Sequence, residues 1–218
     1  MEYKFSDKLA SLKPSAIREI FKSLTDPTII SFAAGNPSPL SFPVEALSKI
    51  SADIFANDST TALQYSITEG YVPLREDVVA RLNKKFSIDA DVNNTIITSG
   101  GQQGIELACK ALCNEGDVIC ENPSFIGALN AFRSCGARTV GIELENDGID
   151  PEKLDRLISE TPDAKMLYLI PTFQNPAGIT TSLEKRLAIY EVAKKHNIII
   201  FEDNPYGELR FSGEEIPT

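Results

Sequence analysis

The sequence predicts an α/β fold with three layers, in which helices flank a mainly parallel sheet on both faces. The main observation is an alternation, from Thr95 onward, of short β-branched runs with segments of helical length. Such alternation is typical of right-handed crossover units on a buried parallel sheet. The second observation is composition: the 218-residue chain is 42% hydrophobic and 24% charged, which suffices for a packed core.

Three helical patterns come before the alternating part. They run from Pro14 to Leu24, from Pro43 to Ala56 and from Pro73 to Lys85, and each repeats apolar residues at helical spacing. The segments between them, 33–39 and 65–70, have the Gly, Pro and Ser content of loops. We therefore expect the chain to begin with an arm of helices and loops.

The alternating part predicts five strands and four helices. The strands lie at 95–98, 117–120, 138–142, 166–170 and 198–201, and the helices at 102–112, 125–134, 151–159 and 183–196. Ligands of such sheets bind outside the carboxyl ends of the strands. The residues that follow the strands are therefore the candidates for chemistry.

The first strand end carries Ser99-Gly100-Gly101-Gln102, directly before a helix. Glycines let the backbone approach an anion, and the free amides at a helix start suit a phosphate. The stretch has neither the GxxxxGK[ST] nor the GxGxxG spacing of nucleotide sites. A phosphate site and a plain glycine-rich turn both remain open from these residues alone.

The other strand ends carry an aromatic ring, an amide and a carboxylate. Phe125 could lie flat on a planar ligand or belong to the core, and Asn175 could bind a ligand or only form an Asn-Pro turn. Asp203 follows a buried strand, so its charge needs a partner, and Tyr206 comes three residues later. Because the carboxyl ends of parallel strands share an edge, we expect these side chains to converge on one ligand.

The ordered set of motifs resembles the fold-type I aminotransferases of class I/II, which depend on pyridoxal 5'-phosphate. The motifs are Ser99-Gly100-x-Gln102, Asn175-Pro176-x-Gly178 and Asp203-x-x-Tyr206, joined by Ala34-Gly35-Asn36-Pro37, Gln64-Tyr65 and Gly70-x-x-x-Leu74-Arg75. Residues 14–18 further resemble the branch of kynurenine and α-aminoadipate aminotransferases and the aminotransferase-like halves of bacterial regulators.

The resemblance implies a role for each residue of the cofactor site. Asp203 pairs with the pyridinium nitrogen and is the pivotal residue, because a protonated ring can absorb the electrons of the Cα carbanion. Asn175 and Tyr206 hydrogen-bond the ring hydroxyl oxygen, and Phe125 stacks on the ring. The phosphate is bound by the amides at the helix start, contributed by Gly100, Gly101 and Gln102.

Other roles implied by the resemblance concern the substrate and a second subunit. Gly35 lies near the substrate carboxylate, and Tyr65 reaches the phosphate of the partner subunit, so a homodimer is expected. Arg18 either approaches the partner's substrate or is an exposed helix cation. The expected organisation is an amino-terminal arm with part of a small domain at 1–42 and a partial large cofactor-binding domain at 43–218.

The resemblance also implies a Schiff-base lysine, which this sequence lacks. In the family it follows the Asp-x-x-Tyr strand, whereas no lysine follows Lys195 here. Lys110, Lys165 and Lys194 fall in helices or at the wrong strand ends and cannot replace it. We expect a fold incomplete at the carboxyl terminus, a full-length parent that transfers an amino group between an L-amino acid and a 2-oxo acid, and a 218-residue chain that is inactive alone.

Charge and composition exclude several other classes. A net charge of −10 without a long Lys/Arg run argues against nucleic acid, and no apolar run is long enough to cross a membrane. The first residues lack the apolar stretch of a secretory signal, so we expect a cytoplasmic protein. The four cysteines form no Cys-x-x-Cys pair, which favours reduced thiols and no metal site.

Alternatives remain open at this point. The chain could be the ligand-sensing half of a transcription regulator, which would need a basic winged-helix domain ahead of it, or a noncatalytic dimerisation fragment. A lyase or decarboxylase on the same scaffold is a further alternative. The branch resemblance favours an aromatic or α-aminoadipate-type amino acid as substrate.

Overall fold

The structure, a computed structural model, describes residues 3–10, 28, 30, 35, 37–114 and 116–218. The predicted helix from Pro14 to Leu24 lies outside the described residues. So does Arg18.

The described residues form eight helices, five strands and two short 3₁₀ turns. The helices are α1 (Asp7–Ala10), α2 (Val44–Asn57), α3 (Ser59–Leu63), α4 (Val72–Phe86), α5 (Gly101–Leu112), α6 (Ile126–Cys135), α7 (Pro151–Glu160) and α8 (Leu183–His196), and the 3₁₀ turns are Pro39–Ser41 and Val92–Asn94. The strands are β1 (Asp117–Asn122), β2 (Arg138–Glu145), β3 (Gly148–Ile149), β4 (Met166–Leu169) and β5 (Ile199–Glu202). The predicted helices from 43 onward and four of the five predicted strands are confirmed within a few residues at each end.

The five strands form one mixed, mostly parallel sheet in the order β3-β2-β1-β4-β5. Strand β1 pairs in parallel with both β2 and β4, and β4 pairs in parallel with β5. Only β3 is antiparallel, against the end of β2. The predicted α/β class is therefore confirmed, and the central strands β1 and β4 have neighbours on both sides.

Helices cover both faces of the sheet. On one face, α5 and α6 pack onto Met166 and Tyr168, and on the other face, α7 and α8 pack onto Leu167 and Leu169. The alternation follows from the period of two in a strand, and all four side chains are buried. A strand that is buried on both faces reads as a continuous apolar run, which explains why the sequence signal was clear.

The prediction of a strand at 95–98 is wrong for this chain. These residues join no sheet among the described residues, although the Ile97 amide donates to the carbonyl of Glu69 at 2.9 Å. The buried Arg75 holds the segment by donating from Nε to the carbonyl of Thr95 at 2.8 Å. β-Branched residues favour extended backbone, but pairing also needs a neighbouring strand.

The amino-terminal helices bury almost nothing within this chain. None of the 14 residues of α2 is buried, and Leu47, Ile50 and Ile54 leave 55%, 54% and 40% of their surface exposed. These three side chains share one helix face by their spacing. The helix therefore presents an apolar face that no described part of the chain covers.

All four cysteines are free thiols, and three of them are buried. Among the described residues, no helix has the length and apolar character needed to cross a membrane.

Candidate functional site

The carboxyl ends of β1, β4 and β5 lie side by side, because these three strands are parallel neighbours. The chain leaves β5 into Asp203, whose amide donates to the carbonyl of Leu169 at the end of β4 at 2.8 Å. The loops after β1 and β4 carry Phe125 and Asn175. The topology thus places the predicted residues at one edge of the sheet.

A cavity of about 190 Å³ opens at this edge. Nine residues line it: Gly101, Gln102, Ile105, Phe125, Ile170, Asn175, Asp203, Pro205 and Tyr206. Six of the nine were singled out from the sequence as cofactor ligands. Pockets for drug-sized ligands occupy roughly 300–1,000 Å³, so this cavity suits a molecule with a single ring.

Asp203 is the one acidic side chain that lines the cavity. Its Oδ2 accepts a hydrogen bond from the phenol of Tyr168 at 2.6 Å. Among the described residues, no Lys, Arg or His forms an ion pair with Asp203. Strand β5 is a partly exposed edge strand, so the expectation that Asp203 follows a buried strand is wrong, and Asp203 itself is half-buried. Its carboxylate has a neutral donor on one side and a cavity available for a cation on the other.

Asn175 and Tyr206 contact each other across the cavity wall. The Asn175 amide nitrogen Nδ2 donates to the phenol oxygen of Tyr206 at 3.2 Å. Both side chains are half-buried and line the cavity. An amide N–H and a phenol O–H at one place can both donate to a single ligand oxygen.

Phe125 precedes α6 and packs its ring against the start of that helix. A Cβ on Gly127 would lie 2.5 Å from the ring atom Cζ of Phe125 and 2.7 Å from Oε1 of Gln102. Gly127 therefore leaves the space that the ring and the Gln102 amide occupy. The prediction that Phe125 is available to a planar ligand remains a prediction, but the ring does line the cavity.

The start of α5 forms a second wall of the cavity. Gly100 has φ of 80°, a backbone conformation that favours glycine, and it caps the helix with no side-chain hydrogen bond. A Cβ at Gly100 or Gly101 would meet no atom within 4 Å, so the space beside the helix start is open. The Gln102 side chain is committed to the carbonyl of Gly127 at 3.0 Å. Binding of an anion there falls to the first helical amides, which have no intrahelical partner.

Two buried side chains, Glu121 and Gln174, connect the loops that follow β1 and β4. Glu121, at the end of β1, accepts hydrogen bonds at Oε2 from the amide of Ile170 and from Nε2 of Gln174, both at 3.1 Å. The Gln174 side chain also donates to the carbonyl of Pro123 at 2.8 Å and accepts from the amide of Ala177 at 2.8 Å. Gln174 thus ties the loop of Phe125 to the loop of Asn175.

Burial dominates the electrostatics of Glu121. Desolvation raises the pKa of this carboxyl to about 7, against the opposing effect of its hydrogen bonds with Gln174 and Ile170. The side chain is 2% exposed. Its charge state therefore changes near neutral pH, directly beneath the two loops.

Among the described residues that were predicted for the site, Gly35, Tyr65 and Gly100 do not line this cavity. Gly35 is exposed, and Tyr65 is 99% exposed. Arg18 lies outside the described residues. The predicted roles of Tyr65 and Arg18 involve a partner subunit, so a single chain leaves them as predictions.

No lysine lines the cavity among the described residues. Lys110 sits near the far end of α5 and pairs with Glu106 at 2.5 Å, and Lys165 lies just before β4, at the opposite edge of the sheet. Lys194 is in the last turn of α8. The expectation that no earlier lysine substitutes for the missing one agrees with these positions.

Sequence reasoning missed the supporting residues Tyr168, Glu121 and Gln174. One signal was present: Tyr168 lies inside the apolar run 166–170, and a buried phenol normally finds a partner. Glu121 and Gln174 gave a weaker signal, because polar residues next to a loop are ordinarily exposed.

The arrangement suits a planar cationic heteroaromatic molecule that carries a phosphate. Asp203 can receive a ring N–H, Phe125 offers a ring face, and Asn175 and Tyr206 can donate to a ring oxygen. The open start of α5 can receive the phosphate. The donor set present in this chain therefore fits the ligand that the motifs predict.

The chain is similar to known proteins over most of its length. Residues 27–217 match the family Aminotransferase class I and II. Aromatic-amino-acid aminotransferase 1 of Thermococcus litoralis is 39% identical, across 97% of this chain and 52% of that protein. The 2-aminoadipate transaminase of Thermus thermophilus is 36% identical, across 98% of this chain and 52% of that protein.

A solved structure gives the same result. The crystal structure of Pyrococcus horikoshii kynurenine aminotransferase in complex with PMP is 36% identical, with a TM-score of 0.88. The match covers 97% of this chain and 54% of that one. The chain thus spans about half the length of the relatives that it matches.

Proposed function

The chain belongs to the aminotransferase class I and II family, and from this premise we propose that it is the cofactor-binding part of an enzyme that transfers an amino group between an L-amino acid and a 2-oxo acid. Enzymes of this family use pyridoxal 5'-phosphate, which when bound supplies an electron sink for the bonds at the amino acid Cα. The observation that carries the proposal is the open position of Asp203 in a cavity lined by Phe125, Asn175 and the start of α5.

Asp203 holds a proton on the ring nitrogen in this proposal. An ionised carboxylate next to a pyridinium N–H favours the protonated ring, because opposite charges at short range stabilise each other. Tyr206 and Asn175 would hold the ring oxygen by donating hydrogen bonds to it. Phe125 stacks on one face of the ring and excludes water from that side.

The start of α5 binds the phosphate. The amides of Gly101 and Gln102 are the first helical donors, and the helix dipole adds a partial positive charge at this end. The absence of a Cβ at Gly100 and Gly101 keeps the approach open. Only the backbone is needed, which agrees with the Gln102 side chain being bound elsewhere.

The chain on its own is proposed to be inactive and to hold the cofactor weakly, without a covalent bond. Covalent attachment and proton transfer at Cα both need a lysine amine beside the ring. No lysine follows Lys195 in the sequence, and none lines the cavity among the described residues.

Two finer proposals concern substrate and location. An aromatic or α-aminoadipate-type amino acid is the proposed donor, supported by the names of the relatives in Thermococcus and Thermus. A cytoplasmic location is supported by the four free thiols, which persist in a reducing compartment.

A homodimer is proposed for the full-length parent, with the apolar face of α2 at the interface. The exposed side chains of Leu47, Ile50 and Ile54 support it, since contiguous apolar surface on a protein commonly marks an interaction site. Sedimentation of this chain at increasing concentration tests the proposal. Ile50→Gln is expected to weaken self-association, and Ala52→Gln, on the opposite side of α2, serves as the control. A chain that stays monomeric at every concentration contradicts it.

Titration of the 218-residue chain with pyridoxal phosphate tests the cofactor proposal. Calorimetry in a buffer without amines is expected to show weak, saturable binding at one site. Borohydride reduction followed by gel filtration is expected to leave no cofactor attached. A lack of saturable binding contradicts the cofactor site, and a stable reduced adduct on any lysine contradicts the noncovalent, inactive state.

A further inference from the structure

Tyr168 lies directly behind the carboxylate that faces the cavity. It sits in the middle of β4, paired with Phe201 of β5, and its phenol donates to Oδ2 of Asp203 at 2.6 Å. The Tyr168 side chain is fully buried, whereas its partner Asp203 is half-buried at the cavity. Tyr168 itself is not among the residues that line the cavity.

The ring of Tyr168 is held by aromatic packing on two sides. Phe132 of α6 meets it edge to face, with ring centroids 5.4 Å apart, and the tilted ring of Phe201 lies at 5.8 Å. Close packing of this kind keeps a buried side chain in one rotamer. The phenol oxygen therefore has a defined position relative to β5 and to Asp203.

The direction of the hydrogen bond is set by electrostatics. Burial raises the pKa of the Tyr168 phenol far above its ordinary range, and the neighbouring Asp203 and Glu121 carboxyls raise the pKa further. The phenol consequently stays protonated and donates, while the Asp203 carboxylate accepts. A hydrogen bond to an ionised carboxylate stabilises the ionised form.

One oxygen of Asp203 is thus used within the protein. No described side chain donates to Oδ1, the second oxygen. The terminal torsion of an aspartate is otherwise broad, so one short hydrogen bond to Oδ2 restricts the orientation of the whole carboxylate. A fixed, ionised acceptor loses less entropy when it meets a cationic N–H.

We propose that Tyr168 is a positioning residue for the cofactor: its hydrogen bond to Oδ2 orients the Asp203 carboxylate so that the second oxygen can accept a hydrogen bond from the protonated ring nitrogen. The inference rests on the proposed function. It predicts that loss of the Tyr168 hydroxyl weakens the binding of a ligand only when that ligand has the ring nitrogen. A general role in core packing would weaken the binding of both kinds of ligand equally.

The test compares pyridoxal phosphate with its 1-deaza analogue, in which a C–H replaces the ring nitrogen. Tyr168→Phe keeps the buried ring and removes only the hydroxyl. We expect this variant to bind pyridoxal phosphate about 10-fold more weakly than the parent chain does. We expect its affinity for the deaza analogue to stay within about twofold of the parent chain's affinity for that analogue. Tyr190→Phe removes a phenol from the exposed face of α8 and is expected to change neither affinity.

Two results would overturn the positioning role of Tyr168. Equal affinity of Tyr168→Phe and the parent chain for pyridoxal phosphate overturns the positioning role, and so does an equal loss for both ligands. If the parent chain binds neither ligand at a saturable site, the proposed function fails and the positioning role fails with it. Thermal unfolding of each variant confirms that it folds, and Tyr168→Met provides a second core-filling variant without the hydroxyl.

Discussion

An aspartate lies at each end of the parallel sheet, and the two carboxylates have different hydrogen-bond partners. At the amino end of β1, Asp117 is 4% exposed and receives two hydrogen bonds from the guanidinium of Arg138, at 2.6 and 2.5 Å. At the carboxyl end of β5, Asp203 receives one neutral hydrogen bond from Tyr168 and borders a cavity. The first carboxylate has its cation within the chain, and the second has none among the described residues.

A carboxylate with a cation inside the chain is explained by the fold, whereas one without such a cation is a candidate for ligand binding. Arg138 lowers the pKa of Asp117, chiefly through its hydrogen bonds. Asp203 is half-buried and has no cationic partner among the described residues, which agrees with the proposal that it pairs with a cationic ligand.

The sharpest contrast comes from neutralising each aspartate. Asp203→Asn is expected to weaken binding of pyridoxal phosphate by about 100-fold, because the variant removes the charge opposite the ring nitrogen. Asp117→Asn is expected to leave the affinity within about twofold and to lower the free energy of unfolding by about 1.5–3 kcal/mol. Calorimetry and urea unfolding measure the two effects. An equal loss of affinity in both variants would break the contrast.

A smaller effect is expected from filling the space beside Phe125. Gly127→Ala places a Cβ against the Phe125 ring and the Gln102 amide, and both must shift. We expect about a 10-fold loss of affinity for pyridoxal phosphate, because the stacking face and the helix start move together. Gly104→Ala is the matched control, since its Cβ makes only an ordinary contact with Thr98 at 3.7 Å. If Gly127→Ala binds pyridoxal phosphate with unchanged affinity, the proposed stacking of Phe125 on the cofactor ring is contradicted.

The smallest effect concerns the pH dependence of stability. The pKa of Glu121 is raised to about 7 in the folded state by burial, so between its ordinary value and 7 the folded state binds more protons than the unfolded state. Stability contributed by this group is therefore lost as pH rises through that window.

Urea unfolding at pH 5 and pH 8 checks this sign. Glu121→Gln keeps an acceptor for Ile170 and cannot ionise, so we expect it to reduce the loss of unfolding free energy between pH 5 and pH 8 by about 1 kcal/mol.

The opposite sign is expected for Asp117, because its lowered pKa makes its contribution to stability disappear only as pH falls into the acid range. Glu191→Gln, on the exposed side of α8, is the control. If the free energy of unfolding of Glu121→Gln depends on pH as strongly as that of the parent chain, the raised pKa of Glu121 is contradicted.

Much of the sheet and its edge could be predicted from the sequence. The helix at 183–196 follows from local periodicity, and the exit of β4 follows from a continuous apolar run, which is typical of a strand buried on both faces. The convergence of Asn175 and Asp203 follows from parallel topology alone.

The rest depends on contacts distant in sequence. Tyr168 and Asp203 are brought together by strand pairing, and a tyrosine in a strand is ordinarily read as a favourable β residue. The clamp of Glu121 and Gln174 joins two loops that no local pattern connects. The strand expected at 95–98 was wrong, because composition specifies extended backbone without supplying a partner strand.

A crystal structure of this chain soaked with pyridoxal phosphate would show whether Asp203 receives the ring nitrogen. The account predicts the ring in the cavity beside Phe125, with its nitrogen within about 3 Å of the Asp203 carboxylate and its phosphate at the amides that begin α5. A ring bound elsewhere, or one in the cavity with its nitrogen turned away from Asp203, would contradict it.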